Sequence, residues 1–494
     1  MRADKLERMA YRLLSDPALF SRFVVGRPLR SYQLEPARAI LESVLSRRGD
    51  TISVMMARQA GKNELSAQIE AYLLNLHQHE GGQIVKAAPT YVPQCLTSRI
   101  RLENALENPL NHGRWRSDRG AIRLGRARCQ FLSAEPGANV VGATASIALE
   151  VDEAQDVDPE KHDRDFAPMA ASTNATRVYY GTAWQSDDLL QRVKEENERL
   201  ALADGRVRHF EYPWWVIAEW NEDYGRYVEG ERARLGEDHP LFKTQYRLVP
   251  LGGEAGFLST QQRELIRGDH PRLHRPDDEA VYVAGVDLAG PDEEAADELL
   301  RRARPRKDST VVTIARVVPT QVAESIVEPR VEVVEHCWWT GRGHQAQYEG
   351  LLATLRDVWG CRRVVVDASG IGAGVAAFLR NALGEVVEPF VFTAEAKSRL
   401  GFGLLAAVNG GRFKMYREPE SSEDGAAAEF WREAALCRYA IRRGQQLNFW
   451  VAESEGHDDF VVSAALCAWA AHGATAAPAG ALVQRPLDYA DGRY

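Results

Sequence analysis

The feature that most constrains this chain is a strand that breaks into a glycine-lysine turn and then a helix. Ile52-Ser53-Val54-Met55-Met56 is an apolar run of β character; Ala57-Arg58-Gln59-Ala60-Gly61-Lys62-Asn63 follows, and a helical pattern runs from Asn63 to Leu74. In that setting Gly61 lets the backbone close on an anion, and the exposed amides and helix N-terminus attract it. Lys62 can then reach the β and γ oxygens of a nucleotide. The segment departs from the GxxxxGK[ST] pattern, because Met56 stands where the first Gly belongs and Asn63 where the Mg²⁺-binding hydroxyl belongs. A chance strand-turn-helix is therefore the competing reading until a second feature supports the first.

That second feature is Ile147-Ala148-Leu149-Glu150-Val151-Asp152-Glu153-Ala154, an apolar strand delivering two adjacent carboxylates at its carboxyl end. Asp152 can hold Mg²⁺ and Glu153 can polarise an attacking water. Further strands at Ile84 to Ala88 and Val178 to Tyr180 alternate with helical patterns, which predicts a parallel sheet with its ligand at the carboxyl edge. Tyr180-Gly181-Thr182-Ala183 ends one such strand, and Thr182 is the expected γ-phosphate sensor. Upstream, Arg30-Ser31-Tyr32-Gln33 precedes a helix, and its ring and amide can stack on and hydrogen-bond adenine. The expected nucleotide contacts are thus Tyr32, Gln33, Arg58, Gln59, Gly61, Lys62, Asn63, Asp152 and Thr182, with Glu153 catalytic.

At 494 residues the chain exceeds what one core supports, so a second domain is expected. Tyr212 to Phe242 reads as helical and aromatic, and the turn-rich stretch from Val249 to Gly256 marks a boundary. Beyond it, strands at Val281 to Asp287, Thr310 to Val318, Val331 to His336 and Arg363 to Asp367 predict a mixed sheet. Asp287 and Asp367 end strands, and Asp458-Asp459 precedes the apolar helix Phe460 to Ala471. Clustered hard oxygen ligands of this kind suit two-metal phosphodiester cleavage by an RNase H-like nuclease, with Mg²⁺ or Mn²⁺ on Asp287, Asp367, Asp458 and Asp459. Asp308 is a further candidate ligand, and His457 can orient a carboxylate. The expected division is 1–250 for an α/β P-loop ATPase domain of RecA type, 251–276 for a linker, 277–476 for the nuclease and 477–494 for a flexible tail. Pro291 to Lys307 is a charged helical insertion of unassigned role.

A net charge of −9 argues at first against a nucleic-acid partner. Arginines nevertheless crowd locally, at Arg99, Arg101, Arg114, Arg116, Arg119, Arg123, Arg126 and Arg128, at Arg301 to Lys307, and at Arg438, Arg442 and Arg443. Such runs permit DNA contact, although a solvated face has the same appearance. The six cysteines show no ligand-like spacing, which disfavours a zinc module or disulfide framework and fits a reducing cytosol. No apolar run approaches the ~20 residues of a membrane span, and Met1-Arg2-Ala3-Asp4 does not open a signal peptide.

From Tyr32-Gln33 to His457-Asp458-Asp459 these residues resemble, in order, the large terminase subunits of tailed phages. The segments carrying the resemblance are Ala57 to Asn63, Ala88-Pro89-Thr90, Asp152-Glu153, Gly181-Thr182-Ala183 and Gly285-Val286-Asp287. The resemblance implies an ATP-driven motor for double-stranded DNA joined to a metal-dependent nuclease that cuts the concatemer. It also implies a ring on the capsid portal, a small terminase subunit as partner, and action in the host cytoplasm during assembly. Many relatives place an Arg-Gly before the second nucleotide-binding strand as an arginine finger; Val141-Gly142 stands there instead, so Arg58, Arg99 or Arg101 must supply that charge. The competing readings are a helicase-like or restriction-type translocase, which needs a second RecA-like domain, and a capsid-associated ATPase with an inactive nuclease fold.

Overall fold

The computed structural model describes residues 13–118, 120–140, 142–252, 255–277, 280–288, 309–324, 326–340, 344–370, 372–417, 425–442 and 445–475. The insertion Pro291 to Lys307, Asp308, Arg119, Val141, Arg443 and the tail 477–494 lie outside them. The chain forms two compact units that divide near residue 253; Ala233–Gly236 group with the second and Ile441–Gln445 with the first.

The first unit carries an eight-stranded sheet. Its strands are β1 (Thr51–Met56), β2 (Gly82–Ala88), β3 (Trp115–Asp118), β4 (Ala121–Leu124), β5 (Ala127–Ser133), β6 (Ala148–Val151), β7 (Thr176–Gly181) and β8 (His209–Tyr212), in the order β3-β4-β5-β2-β6-β7-β1-β8. From β5 to β8 all pairs are parallel. The strands β1, β2 and β6 are buried almost throughout, as a sheet covered on both faces requires. Because β6, β7 and β1 are neighbours, the segments leaving their carboxyl ends, Asp152-Glu153, Thr182 and the turn at Ala57 to Gly61, are neighbours too. The flank β3-β4-β5 is antiparallel, which the expectation of a parallel sheet did not include. Its consecutive strands are separated by only two residues each, too few for a parallel crossover.

Three helices bear on the carboxyl edge of the sheet: α1 (Ser31–Leu45), α2 (Lys62–His77) and α3 (Leu96–Leu106). The first residue of α2 follows Gly61, whose φ of 88° is left-handed and suits glycine. A Cβ there would also come within 2.7 Å of the Gln33 amide nitrogen.

In the second unit regular structure begins earlier than expected. The stretch assigned to a linker holds the helix Thr260–Ile266, entered through a Ser259/Gln262 capping box, and a strand that joins the sheet. With β9 (Ala255–Gly256) counted first, the strands are β10 (Arg267–Pro271), β11 (Val281–Asp287), β12 (Ser309–Ala323), β13 (Ile326–Thr340), β14 (Arg363–Asp367), β15 (Val387–Phe390) and β16 (Phe413–Arg417). The main sheet takes them in the order β10-β16-β13-β12-β11-β14-β15. It is mixed: β11, β12 and β13 run antiparallel, whereas β14 and β15 continue parallel to β11. The hairpin of β12 and β13 is longer than the apolar runs suggested, because polar and charged residues continue its outer half. Two helices matter for the site, α4 (Gly425–Leu436) and α5 (Asp459–Thr475). Gly285 lets α5 pack against the backbone of β11: a Cβ there would stand 2.2 Å from both Cys467 N and Ser463 O. The Ser463 hydroxyl donates to Gly285 O at 3.0 Å. No described helix is long and apolar enough to cross a membrane.

Candidate functional site

In the first unit a cavity of about 590 Å³ opens over the β1 turn. Its walls include Met56, Arg58, Gln59, Gly61, Lys62, Asn63, Arg101, Glu153, Asp156, Thr182 and Gln245. The expected contacts Arg58, Gln59, Gly61, Lys62, Asn63, Glu153 and Thr182 therefore face one space, of a size suited to a nucleotide. Lys62 Nζ stands 2.8 Å from Glu153 Oε1 and 3.9 Å from Asp152 Oδ1. Glu153 is held at φ 47°, a left-handed conformation uncommon for a residue with a side chain. Asp152 is buried, receives the Ser98 hydroxyl at 3.1 Å on Oδ2, and takes the Glu153 amide at 3.0 Å on Oδ1. Burial works against its charge, but Lys86 and then Lys62 outweigh that and hold the carboxyl below its usual range. The site thus offers an ionised carboxylate beside a lysine at a helix N-terminus, a set that binds a metal-bearing phosphate chain.

Tyr32 and Gln33, the expected adenine contacts, bond the carbonyls of the turn itself. Both are buried, and neither lines the cavity. The Tyr32 hydroxyl donates to Ala60 O at 2.8 Å and the Gln33 amide to Gly61 O at 3.0 Å. They brace the turn, since carbonyls of a tight loop need donors. Of the three finger candidates, Arg58 and Arg101 line the cavity, whereas Arg99 turns to Glu103 at 3.2 Å. Arg58 donates to Gln245 Oε1 at 2.8 Å.

Sequence reasoning missed Gln155 and Asp156. Gln155 Nε2 donates to Glu153 Oε2 at 2.8 Å, and its Oε1 accepts from the Thr182 amide at 3.3 Å, joining the two segments. A Cβ on Gly181 would come within 2.1 Å of that Oε1, which explains a glycine before Thr182. Asp156 lines the cavity; burial first, then the charge of Glu153, pushes its carboxyl up to about 6. Proximity to Asp152-Glu153 was the signal for both. Ser98 carries none, because it comes from a distant helix.

In the second unit β11 and β14 are adjacent and parallel with Val286 opposite Val366, so Asp287 and Asp367 end neighbouring strands at one edge, roughly 5 Å apart along the ladder. The packing of α5 on Gly285 brings Asp459 to that edge, where its Oδ2 accepts from Ser309 N, at the start of β12, at 2.9 Å. Asp459 is buried, whereas Asp458 is partly exposed and lies 3.8 Å from Lys397. Asp367 Oδ1 accepts from the Ser369 amide at 2.8 Å. Glu433, another residue the sequence did not announce, caps α5 from α4: its Oε2 accepts from Phe460 N at 2.7 Å and Val461 N at 3.2 Å. Burial and the nearby Asp459 charge push its carboxyl up to about 9. Among the described residues no three acidic, histidine or cysteine side chains are gathered closely enough to hold one ion. The all-oxygen donor set at one edge fits Mg²⁺ or Mn²⁺ in chemistry.

The arginine run at Arg114 to Arg128 falls on the antiparallel flank. Arg116, Arg123 and Arg128 stand directly opposite one another across β3, β4 and β5. Arg123 pairs with Asp118 at 2.9 Å and Arg128 donates to Gln83 at 2.7 Å.

Neither a protein-family model nor a curated protein matches the sequence. Among solved structures, a large terminase from a thermophilic bacteriophage, in its second crystal form, is 12% identical, covering 89% of this chain and 98% of that one with a TM-score of 0.50. The HK97 bacteriophage large terminase is 16% identical over 92% of this chain and 99% of that one, with a TM-score of 0.39. The large terminase nuclease from thermophilic phage G20c with bound magnesium is 17% identical over 42% of this chain and 94% of that one, at 0.31. The first of these likenesses shows the fold: a parallel-rich α/β unit followed by a mixed-sheet unit, arranged along the chain as in a large terminase. The two lower scores add nothing to it.

Proposed function

We propose that this chain is the large terminase subunit of a tailed phage, hydrolysing ATP in its first unit to drive double-stranded DNA into a procapsid and cutting DNA with its second. The observation that carries the reading is the meeting of Lys62 with Glu153 at 2.8 Å in one cavity, with the buried Asp152 3.9 Å from the same ammonium, in a chain whose fold matches that of a large terminase at a TM-score of 0.50. In this reading Lys62 leaves Glu153 for the β and γ oxygens of ATP, and Glu153, released, orients and takes a proton from the attacking water. Arg58 or Arg101 meets the charge that develops in the transition state. Gln155 links the state of Glu153 to Thr182 and so to the rest of β7. In the second unit Asp287, Asp367 and Asp459, with Asp458 beside them, would hold the metal, and Ser309 N fixes the Asp459 carboxylate. A divalent metal at either site, Mg²⁺ with ATP and Mg²⁺ or Mn²⁺ at the aspartates, supplies charge that phosphoryl oxygens need during cleavage. The partners that follow are double-stranded DNA, a portal protein, a small terminase subunit and further copies of this chain in a ring, at work in the host cytoplasm.

The test separates the two activities. Lys62→Ala should abolish ATP hydrolysis and leave plasmid cutting in Mn²⁺ intact. Asp287→Ala or Asp367→Ala should abolish cutting and leave ATP turnover within a few fold of wild type, as expected for independent sites. Joint loss of both activities in a folded Asp287→Ala chain, or undiminished cutting by it, refutes the two-site reading.

A further inference from the structure

Lys86 lies on β2, away from the cavity, yet its ammonium meets side chains from three elements that each lead to the nucleotide site. It donates to Ser66 and, at 2.7 Å, to Glu70, both on α2. It stands 3.2 Å from Glu150 Oε2 on β6 and 5.4 Å from the centre of the Tyr180 ring on β7. Ser66 ties the same groups together: its hydroxyl lies 2.9 Å from Glu70 Oε1 and 2.8 Å from Glu150 Oε2, and its one proton serves one of them at a time. All five residues are buried.

The sequence positions of these contacts give the cluster its meaning. Ser66 is one helical turn beyond Lys62, on the same face of α2. Glu150 precedes Asp152 and Tyr180 precedes Thr182 by two residues each, on strands that end at the cavity. A shift of any one element against the others must therefore break a contact to Lys86. As a source of stability the cluster is poor: two carboxylates share one ammonium, and among the described residues Glu70 Oε2 and Glu150 Oε1 have no hydrogen-bond partner. Apolar residues of similar volume often stabilise such a site as well or better, while directional contacts specify a unique arrangement.

We propose that Lys86 is a positioning residue for ATP hydrolysis: through Ser66, Glu70, Glu150 and Tyr180 it fixes α2, β6 and β7 in the one register that lets Lys62, Glu153 and Thr182 address the same phosphate. This rests on the ATPase reading above.

The triple variant Lys86→Met/Glu70→Gln/Glu150→Gln removes the charges while keeping volumes and leaving no buried ion alone. Measured on the full chain, it should melt cooperatively and keep its KM for ATP within about threefold, while kcat falls at least tenfold, about 1.4 kcal/mol of barrier. A purely structural cluster would change the melting temperature and leave kcat of the folded chain alone, so a folded triple variant with kcat within twofold of wild type overturns the proposal. Should the triple variant not fold, Ser66→Ala, which deletes only the shared hydroxyl, carries the test. A kcat at least threefold lower at unchanged KM supports the role, and a wild-type kcat refutes it. A wild-type chain that hydrolyses no ATP would instead remove the ATPase reading itself.

Discussion

Replacing Glu153 with Gln should move affinity and turnover in opposite directions. Lys62 Nζ is engaged by Glu153 Oε1 at 2.8 Å, with the lysine side chain 10% and the glutamate 27% exposed. ATP must take that lysine, so binding forfeits the pair. The gross attraction at 2.8 Å is about 6 kcal/mol at an effective dielectric of ~20. Most of it is returned by hydration, and a charge-assisted hydrogen bond is worth about 1.5–3 kcal/mol net. Gln keeps the shape and one acceptor but removes the charge, so roughly half of that is released. ATP affinity should rise about four- to tenfold, at about 1.4 kcal/mol per factor of ten. Turnover should fall by about 10²–10⁴, the usual contribution of a positioned general base. Titration with a fluorescent ATP analogue gives the first quantity and phosphate release the second. Weaker ATP binding in Glu153→Gln would mean that the glutamate organises the pocket rather than occupying Lys62. A kcat within a few fold of wild type would sink its role with the attacking water.

Asp156 sits in the same cavity with its carboxyl raised to about 6, so it is charged against a triphosphate at pH 8 and largely neutral at pH 5. Asp156→Asn should lower KM for ATP by about three- to tenfold at pH 8, with the advantage vanishing toward pH 5; an advantage independent of pH refutes the charge argument. The arginine row gives a salt prediction: if Arg116 and Arg123 meet DNA phosphates, their double Ala variant should flatten the slope of log K against log salt by about 2, and an unchanged slope removes that face from the DNA path. Gly285→Ala should lower the melting temperature of the chain sharply, because the new Cβ meets helix backbone at 2.2 Å; a wild-type melt would show that α5 does not pack there.

What the sequence disclosed and what it withheld divide along a physical line. The positions of Asp152-Glu153, Thr182, Asp287 and Asp367 at strand ends, and of Lys62 at the start of the helix after one, were legible because an apolar run of β character announces its own end. In parallel sheets such ends converge, so reading the strands was enough to bring Lys62 to Glu153. The same logic fails for groups that approach sideways. Lys86 lies within the run Ile84 to Ala88 without a signal of its own, and its pairing with Glu70 and Glu150 comes from other elements. Glu433 caps a helix 26 residues later in the chain, a contact no local pattern encodes. Tyr32 and Gln33 show the converse case: their place at the start of a helix suggested a ligand contact, and in the first turn of α1 they also serve a turn with left-handed φ at Gln59 and Gly61 that has carbonyls of its own to satisfy. The loop is thereby held in shape from behind by Tyr32 and Gln33. Its preorganisation is a property of side chains that need never touch the nucleotide.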